Sequence, residues 1–101
     1  MSRMSNLLLP ITRTVTVVVS GTPVQGPDVV IPEGVKVTVK GHPSNTGTMT
    51  IADSSANAVN TGANCDRLLA NQAQDHQVIN MNRIWVDATV SGERVLLVSD
   101  L

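Results

Sequence analysis

The sequence predicts an all-β chain folded as an antiparallel, jelly-roll-like β-sandwich of about seven or eight short strands. Short runs rich in Val, Ile and Thr alternate between apolar and polar positions, which is typical of half-buried strands. Gly, Pro, Asn and Ser separate these runs at short intervals. No segment carries an apolar stripe long enough for an amphipathic helix. We therefore predict an extended N-terminal arm at residues 1–13 and one sandwich domain at residues 14–101.

The first predicted strand is the β-branched run Thr14–Ser20. Its alternation places three valines on one face, Val15, Val17 and Val19, and it places Thr14, Thr16 and Val18 on the other. Gly and Pro then divide the chain into turns around two short extended pieces, Val24–Gln25 and Asp28–Ile31.

The segment Val35–Lys40 alternates strictly, with valines on one face and Lys36, Thr38 and Lys40 on the other. After it, the turn GHPSNTG leads into a second alternating segment, Thr48–Asp53, which places Met49 and Ile51 inward. We predict that the two segments form a hairpin, so that Thr48 and Thr50 lie beside the two lysines on the outer face.

The second half of the chain begins with a small, polar segment, Ser54–Asn64, predicted as an exposed loop. The following residues, Cys65–Gln74, are predicted as loop with at most a single helical turn, because their apolar stripe is narrow. Three further strands are predicted, with a hairpin at Ser91-Gly92: His76–Met81, Arg83–Val90 and Glu93–Val98. In the middle one, Ile84, Val86 and Ala88 share the inward face and Trp85, Asp87 and Thr89 the outward face.

The composition excludes several classes of protein. The net charge is -1, so no basic field is available to hold a nucleic acid, and the absence of Phe and Tyr removes stacking platforms. A single cysteine excludes an internal disulfide. The apolar run near the N-terminus is too short for a signal peptide, and no stretch approaches membrane-spanning length. We expect a soluble chain made in a cytoplasm, with no nucleic acid or membrane partner.

The reactive side chains do not fall into a spacing that a mechanism requires. The sequence contains no metal-binding CxxC, HxH or HExxH, no GxSxG and no phosphate-binding glycine loop. The best nucleophile arrangement is Cys65 with Asp75-His76, since a thiol needs a base and the base an orienting acid. A lone cysteine beside a loop is more often a small, half-buried apolar residue. We therefore predict neither an enzyme nor a bound cofactor or metal.

Three features indicate contact with another protein. Leu7, Leu8, Leu9 and Ile11 form an apolar arm that must pack across its own domain or dock on a neighbour. Lys36 and Lys40 share one strand face, which is either a solvated surface or a polar contact surface. Trp85 belongs to the residue type most enriched at the energetic centres of interfaces. A core poor in aromatic residues also favours burial against neighbouring subunits, as in a dimer or trimer.

Much of the chain, from Val30 to Val98, resembles small β-sandwich structural proteins of tailed bacteriophages. The resemblance rests on IPEGVKVTVKGHPSNTGTMTIAD, a leucine pair at Leu68-Leu69, and NMNRIWVDATVSGERVLLV. It departs where LLANQAQDHQ replaces a glycine-rich turn, and where Trp85 stands in place of the commoner Tyr. The resemblance implies a capsid cement or decoration protein on the outside of the virion shell, where it would bridge major capsid protein subunits.

Two other functions are compatible with the same sequence. A head–tail or fibre-associated protein of the phage particle would share the strand pattern. A carbohydrate-binding adhesion module would need an aromatic platform flanked by acids or amides, and only Trp85 with Asp87 provides such a pair. The enzyme hypothesis would require reactivity at Cys65.

Overall fold

Two four-stranded antiparallel sheets make up the fold, as a computed structural model of the chain shows for residues 11–99. The strands are β1 (Ile11–Thr16), β2 (Val24–Gln25), β3 (Val37–Gly41), β4 (Met49–Ala52), β5 (Asp66–Leu68), β6 (Ala73–His76), β7 (Trp85–Ala88) and β8 (Arg94–Ser99). A one-turn helix, α1 (Ser55–Ala58), follows β4, and a 3₁₀ turn (Met81–Arg83) precedes β7. The predicted all-β sandwich of short strands is confirmed.

The strand order is that of a jelly roll. Sheet 1 has the order β1-β8-β3-β6, and sheet 2 has the order β2-β7-β4-β5. The pairs β1–β8, β2–β7, β3–β6 and β4–β5 are those of one long antiparallel hairpin. The pairs β3–β8 and β4–β7 then roll that hairpin into two sheets. Only β4 and β5 are both consecutive in the chain and paired with each other.

An aliphatic core fills the space between the sheets. The alternation of β3, β7 and β8 turns their branched side chains inward, and each buried Val, Leu or Met contributes about 1.5–3 kcal/mol of hydrophobic free energy. The fully buried members of the core are Val17, Val37, Val39, Met49, Met81, Val86, Ala88, Val95 and Leu97. The inward placement predicted for Val37, Val39, Met49, Ile51, Ile84, Val86 and Ala88 is confirmed.

The first strand differs from its prediction at both ends. β1 begins at Ile11, a residue assigned to the arm, and it ends at Thr16. Val19 was predicted to share a face with Val15 and Val17, but those two are buried, whereas Val19 is 55% exposed and Val18 is 71% exposed. The chain leaves the strand before Val18 and then turns toward β2 at Gly21, whose φ of +91° favours glycine.

Both predicted hairpins are wrong. β3 lies in sheet 1 and β4 in sheet 2, so the turn between them crosses from one sheet to the other. The Ser91-Gly92 turn likewise joins β7 of sheet 2 to β8 of sheet 1. Thr50 therefore does not lie beside the lysines, and it is fully buried. Alternation identifies a strand and its buried face, but it does not identify the partner strand.

The segment predicted as exposed loop at Ser54–Asn64 contains α1. Ser54 caps this helix, accepting a hydrogen bond from the N–H of Asn57 at 3.3 Å, and Ala58 is fully buried. The residues predicted as loop at Cys65–Gln74 include β5 and the start of β6. These strands are short and polar edge strands, so their hydrophobic pattern is weak.

The connections gather at two ends of the sandwich. The upper end carries the connections 17–23, 42–48, 69–72 and 89–93. The lower end carries 26–36, 53–65 and 77–84, together with the first residue of β1 and the last of β8. The N-terminal arm therefore joins the domain at the lower end.

Candidate functional site

The outer faces of the two sheets are built differently. α1 packs against β4 and β7, so it covers the outer face of sheet 2. Within residues 11–99, no helix packs on the outer face of sheet 1. Sheet 1 therefore presents an open face, and this surface is the candidate site.

A buried carboxylate holds the covering segment on sheet 2. Asp87 is fully buried, although the sequence predicts that it faces outward with Trp85. Its Oδ1 accepts the N–H groups of Gly21 at 3.0 Å and Ala88 at 2.8 Å, and its Oδ2 accepts the N–H of Asn60 at 2.8 Å. Three donors satisfy the buried acid without a cation. Asp87 thus holds two loops against β7, a role that the alternating pattern of the strand does not indicate.

Further hydrogen bonds fasten the same segment. The buried hydroxyl of Thr50 donates to the carbonyl of Ala58 at 2.5 Å. The side chain of Asn60 donates to Ser20 Oγ at 2.9 Å and to the carbonyl of Ala88 at 2.7 Å. Arg67 donates to the carbonyls of Asn60 and Gly62. The outer face of sheet 2 is therefore occupied by the chain itself.

The open face consists of two rows of side chains that run across sheet 1. The strand register aligns one row as Thr12, Val98, Thr38 and Asp75, and the next as Thr14, Leu96, Lys40 and Ala73. Leu96 and Val98 lie at the centre and are half-buried, and threonines flank them on β1 and β3. Centrally placed aliphatic groups with hydroxyls and charges around them resemble the composition of a protein-contact surface.

The charged groups lie toward the β6 side of the open face. Thr38 donates its hydroxyl to Asp75 Oδ1 at 2.6 Å, and this bond fixes the carboxylate. Lys40 is half-buried and Lys36 is exposed. At the lower end of the face, a hollow of about 420 Å³ lies between Lys36, Asp75 and Val98. The surface thus offers a recess, an apolar centre and charges of both signs.

The residues predicted for a protein interface do not form one patch. Lys36 and Lys40 share the outer side of sheet 1, as predicted from their spacing. Trp85 is half-buried on the outer side of sheet 2, beside Ala52 and Gln25. Ile11 opens β1 opposite Ser99. Leu7, Leu8 and Leu9 lie outside the described residues.

The thiol–imidazole–acid arrangement that the sequence offered as its best nucleophile candidate is not assembled. Cys65 and His76 line the same cavity of about 510 Å³ at the lower end, between the edges of β5 and β6. Asp75 points to the opposite side of its strand, where Thr38 binds it, so it does not orient His76. The Nε2 atom of His76 is buried without a hydrogen-bond partner among the described residues. The Cys65 thiol instead approaches the carbonyl of Gly62 at 3.6 Å.

Within residues 11–99, no group of three or more His, Cys, Asp or Glu side chains is placed to hold a metal ion. In the same part of the chain, no helix has the length and apolar character needed to cross a membrane.

A second buried carboxylate fixes the upper end. Burial alone would raise the pKa of Glu93, but hydrogen bonds outweigh this effect and lower the pKa below its ordinary value. The donors are the N–H groups of Thr46 and Gly47 and the hydroxyl of Thr46. Through these hydrogen bonds, Glu93 holds the turn between β3 and β4 against the start of β8.

The sequence analysis missed most of the open face. It identified Thr38, Lys36 and Lys40, but not the contributions of β1 and β8: Thr12, Thr14, Leu96 and Val98. The sequence does contain a signal, the continuous apolar run from Val95 to Val98. A strand with apolar residues on both faces is typical of a strand that is buried on both faces.

Comparison of the sequence with protein-family models gave no match. Comparisons with curated proteins and with solved structures also gave no significant similarity.

Proposed function

We propose that this chain is a structural protein of a bacteriophage particle: a cement protein that binds the outside of the capsid and bridges major capsid protein subunits. The observation that carries the proposal is the contrast between the two sheets. Within residues 11–99, α1 covers the outer face of sheet 2, and no helix packs on the outer face of sheet 1. The open face is the surface through which we propose that the domain contacts the shell.

The physical requirement for such a protein is contact across a joint, without chemistry. A bridging domain adds favourable interactions between shell subunits and so stabilises the shell against internal pressure. The half-buried Leu96 and Val98 would lose their remaining contact with water on docking, while the threonine hydroxyls and Lys40 would find polar partners. The jelly-roll strand order is compatible with this role, since viral capsid domains use the same architecture.

The use of the acids also favours a structural role. Asp87 and Glu93 each accept several hydrogen bonds from backbone N–H groups, and Asp75 is bound by Thr38. These carboxylates hold loops and strands together. Because these hydrogen-bond donors occupy their oxygens, the three acids belong to the framework that keeps the open face in place.

The carbohydrate-binding alternative depends on Trp85 and Asp87 acting together at one exposed site, and the structure does not provide that site. Asp87 is fully buried and its two oxygens are occupied, so it does not flank Trp85 as a sugar-binding acid. Trp85 itself is half-buried against sheet 2. The open face contains no aromatic side chain that could serve as a platform for a sugar ring.

The proposal is tested with particles purified from the phage that encodes the chain. We expect mass spectrometry to find the chain in these particles, and cryo-electron microscopy to place its density on the outer surface at joints between capsid subunits. Density at a tail or fibre position would favour the head–tail or fibre-associated alternative, and absence from the particles would overturn the proposal.

The open face is tested by rebinding to shells that lack the protein. Lys40→Glu reverses a charge within the face, and we expect it to reduce occupancy at least 10-fold through unfavourable contacts on docking. Arg83→Glu is the matched control, because it makes the same change of charge at an exposed residue of the 3₁₀ turn, away from the face. Equal occupancy of the two variants would exclude the open face as the contact surface.

A further inference from the structure

An apolar groove of about 340 Å³ lies at the lower end of the sandwich. Ile31, Val35, Val78 and Ile79 give it aliphatic walls, and the rest of the lining is Pro32, Glu33, Gly34 and Gln77. Ile79 is 66% exposed, so an apolar partner seated in the groove would bury much of its side chain.

Hydrogen bonds hold the walls of this groove in place. Ile31 donates its N–H to the carbonyl of Ile79 at 2.9 Å, and Val35 donates its N–H to the carbonyl of Pro32 at 3.1 Å. Asn80 accepts the N–H groups of Val29 and Asn82 and so ties the two walls together. The groove is therefore formed before anything binds in it, which lowers the entropy lost on binding.

The apolar arm joins the domain at the same end. The chain before Ile11 contains ten residues, among which Leu7, Leu8 and Leu9 are consecutive. Ile11 pairs with Ser99, and Ser99 pairs with Val37, two residues after the groove residue Val35. The arm thus enters the fold two strands away from the groove, and its apolar residues match the lining of the groove.

We propose that Leu7–Leu9 of one copy bind in the apolar groove of a second copy, so that two chains form a dimer by reciprocal exchange of their arms. The exchange is symmetric, with each copy giving an arm and receiving one, so the assembly closes at two chains. This inference does not depend on the proposed function, since it concerns only the chain and its own copies.

Reach favours the second copy over the chain's own groove. Ile11 and Val37 lie on either side of β8, so two strand spacings, roughly 10 Å, separate them. The groove begins beyond Val37. At no more than roughly 3.6 Å per residue, a span of two residues before Ile11 covers at most about 7 Å and a span of four residues at most about 14 Å. The chain is therefore too short for all three leucines to reach their own groove, whereas the distance from Ile11 to a neighbour's groove is set by how the two copies pack.

A disulfide cross-link distinguishes the possibilities. The variant Leu8→Cys with Ile79→Cys is made in a Cys65→Ser background, which removes the only native cysteine. On oxidation, we expect a species of twice the 10.7 kDa chain mass on a non-reducing gel. A disulfide within one chain, or no disulfide, would overturn the proposal. Leu8→Cys with Val18→Cys is the control, because Val18 is equally accessible at the upper end.

The mass in solution gives an independent test by light scattering. We expect the parent chain and Val18→Asp to be dimers, and Ile79→Asp to show at least a 10-fold larger dimer dissociation constant. Val18 and Ile79 are matched in exposure, at 71% and 66%. Replacement of Leu7–Leu9 by serine should give the same loss without altering the folded domain. A monomeric parent chain, or an arm variant that remains dimeric, would contradict arm exchange.

Discussion

The backbone N–H of Asn60 donates to Asp87 Oδ2 at 2.8 Å, which joins the segment after β4 to the middle of sheet 2. The same carboxylate accepts from Gly21, so one buried side chain connects two loops and a strand. This connection gives one side of the sandwich its cover and makes Asp87 a centre of the fold.

Asp87→Ala should therefore destabilise the chain. The substitution leaves the N–H groups of Gly21 and Asn60 without their acceptor, and we expect a loss of about 2–4 kcal/mol in the free energy of unfolding. Urea unfolding followed by circular dichroism gives the value. Asp66→Ala is the matched control at an exposed acid in β5, with an expected change within about 0.5 kcal/mol. Similar effects of the two substitutions would show that the contacts of Asp87 do not stabilise the fold.

Thr50 supports the same segment through its hydroxyl. Thr50→Val keeps the shape of the side chain but leaves the carbonyl of Ala58 without its donor, and we expect a cost of about 1–2 kcal/mol. Hydrogen exchange of the amide of Ala58, which bonds to the carbonyl of Ser54, should become faster. Thr50→Ser keeps the hydroxyl and should retain slow exchange at Ala58. If Thr50→Ser opens α1 as much as Thr50→Val does, the hydrogen bond is not what holds the helix.

Glu93 should make stability depend on pH in the acid range. Its pKa in the folded chain lies below the ordinary value of 4.5, so its contribution is complete above pH 4.5 and is lost as the pH falls through the folded value. Glu93→Gln removes this charge-dependent contribution. We expect the difference in unfolding free energy between parent and Glu93→Gln to be largest at neutral pH and to shrink below pH 4.5.

Urea midpoints measured at neutral pH and at several acid values test this dependence. Glu33→Gln, the same substitution at an exposed turn residue, provides the control. A difference between parent and Glu93→Gln that is constant across the acid range would rule out titration of Glu93 as its source.

Gly41 marks a close approach between β3 and the turn before β6. A Cβ atom at this position would overlap the carbonyl oxygen of Leu69. The turn cannot easily move, because Gly41 donates to the carbonyl of Gln72 and accepts the N–H of Asn71, both at 2.9 Å. We expect Gly41→Ala to cost about 3 kcal/mol through overpacking.

Gly21→Ala separates the effect of space from that of backbone conformation. Gly21 has a φ of +91° and no neighbouring atom within 4 Å of an added Cβ, so alanine there should cost only about 1–2 kcal/mol of backbone strain. Thermal and urea unfolding of both variants test the ranking. A cost for Gly41→Ala no greater than that for Gly21→Ala would contradict the steric account.

The sequence was sufficient to predict the fold class and most of the core. Alternating valines identified the buried face of β3, and Ile84, Val86 and Ala88 identified that of β7, because a period of two residues belongs to a strand with one covered face. The partner of each strand could not be predicted in this way. The Pro43 and Gly47 turn satisfies the local rules for a hairpin, yet it carries the chain to the other sheet.

The candidate site was predicted only in part, for a related reason. Lys36 and Lys40 were assigned to the correct outer face, but the strand that lies beside β3 is β8, which is far away in the sequence. Only that pairing brings Leu96 and Val98 between the threonines of β1 and β3. Asp87 was missed because burial of an acid depends on donors from other segments, and a single strand pattern contains no information about them.

The position of β8 constrains how the chain can fold during synthesis. β8 lies between β1 and β3, so the interior of sheet 1 is completed only by the last of the eight strands. Until β8 has left the ribosome, β1 has no partner within its sheet, and β3 can pair only with β6. Such contacts between distant segments slow folding and leave strand edges exposed in the nascent chain. We therefore expect that sheet 1 does not fold strand by strand during synthesis. We also expect that the chain is most prone to aggregation before its final strand is added.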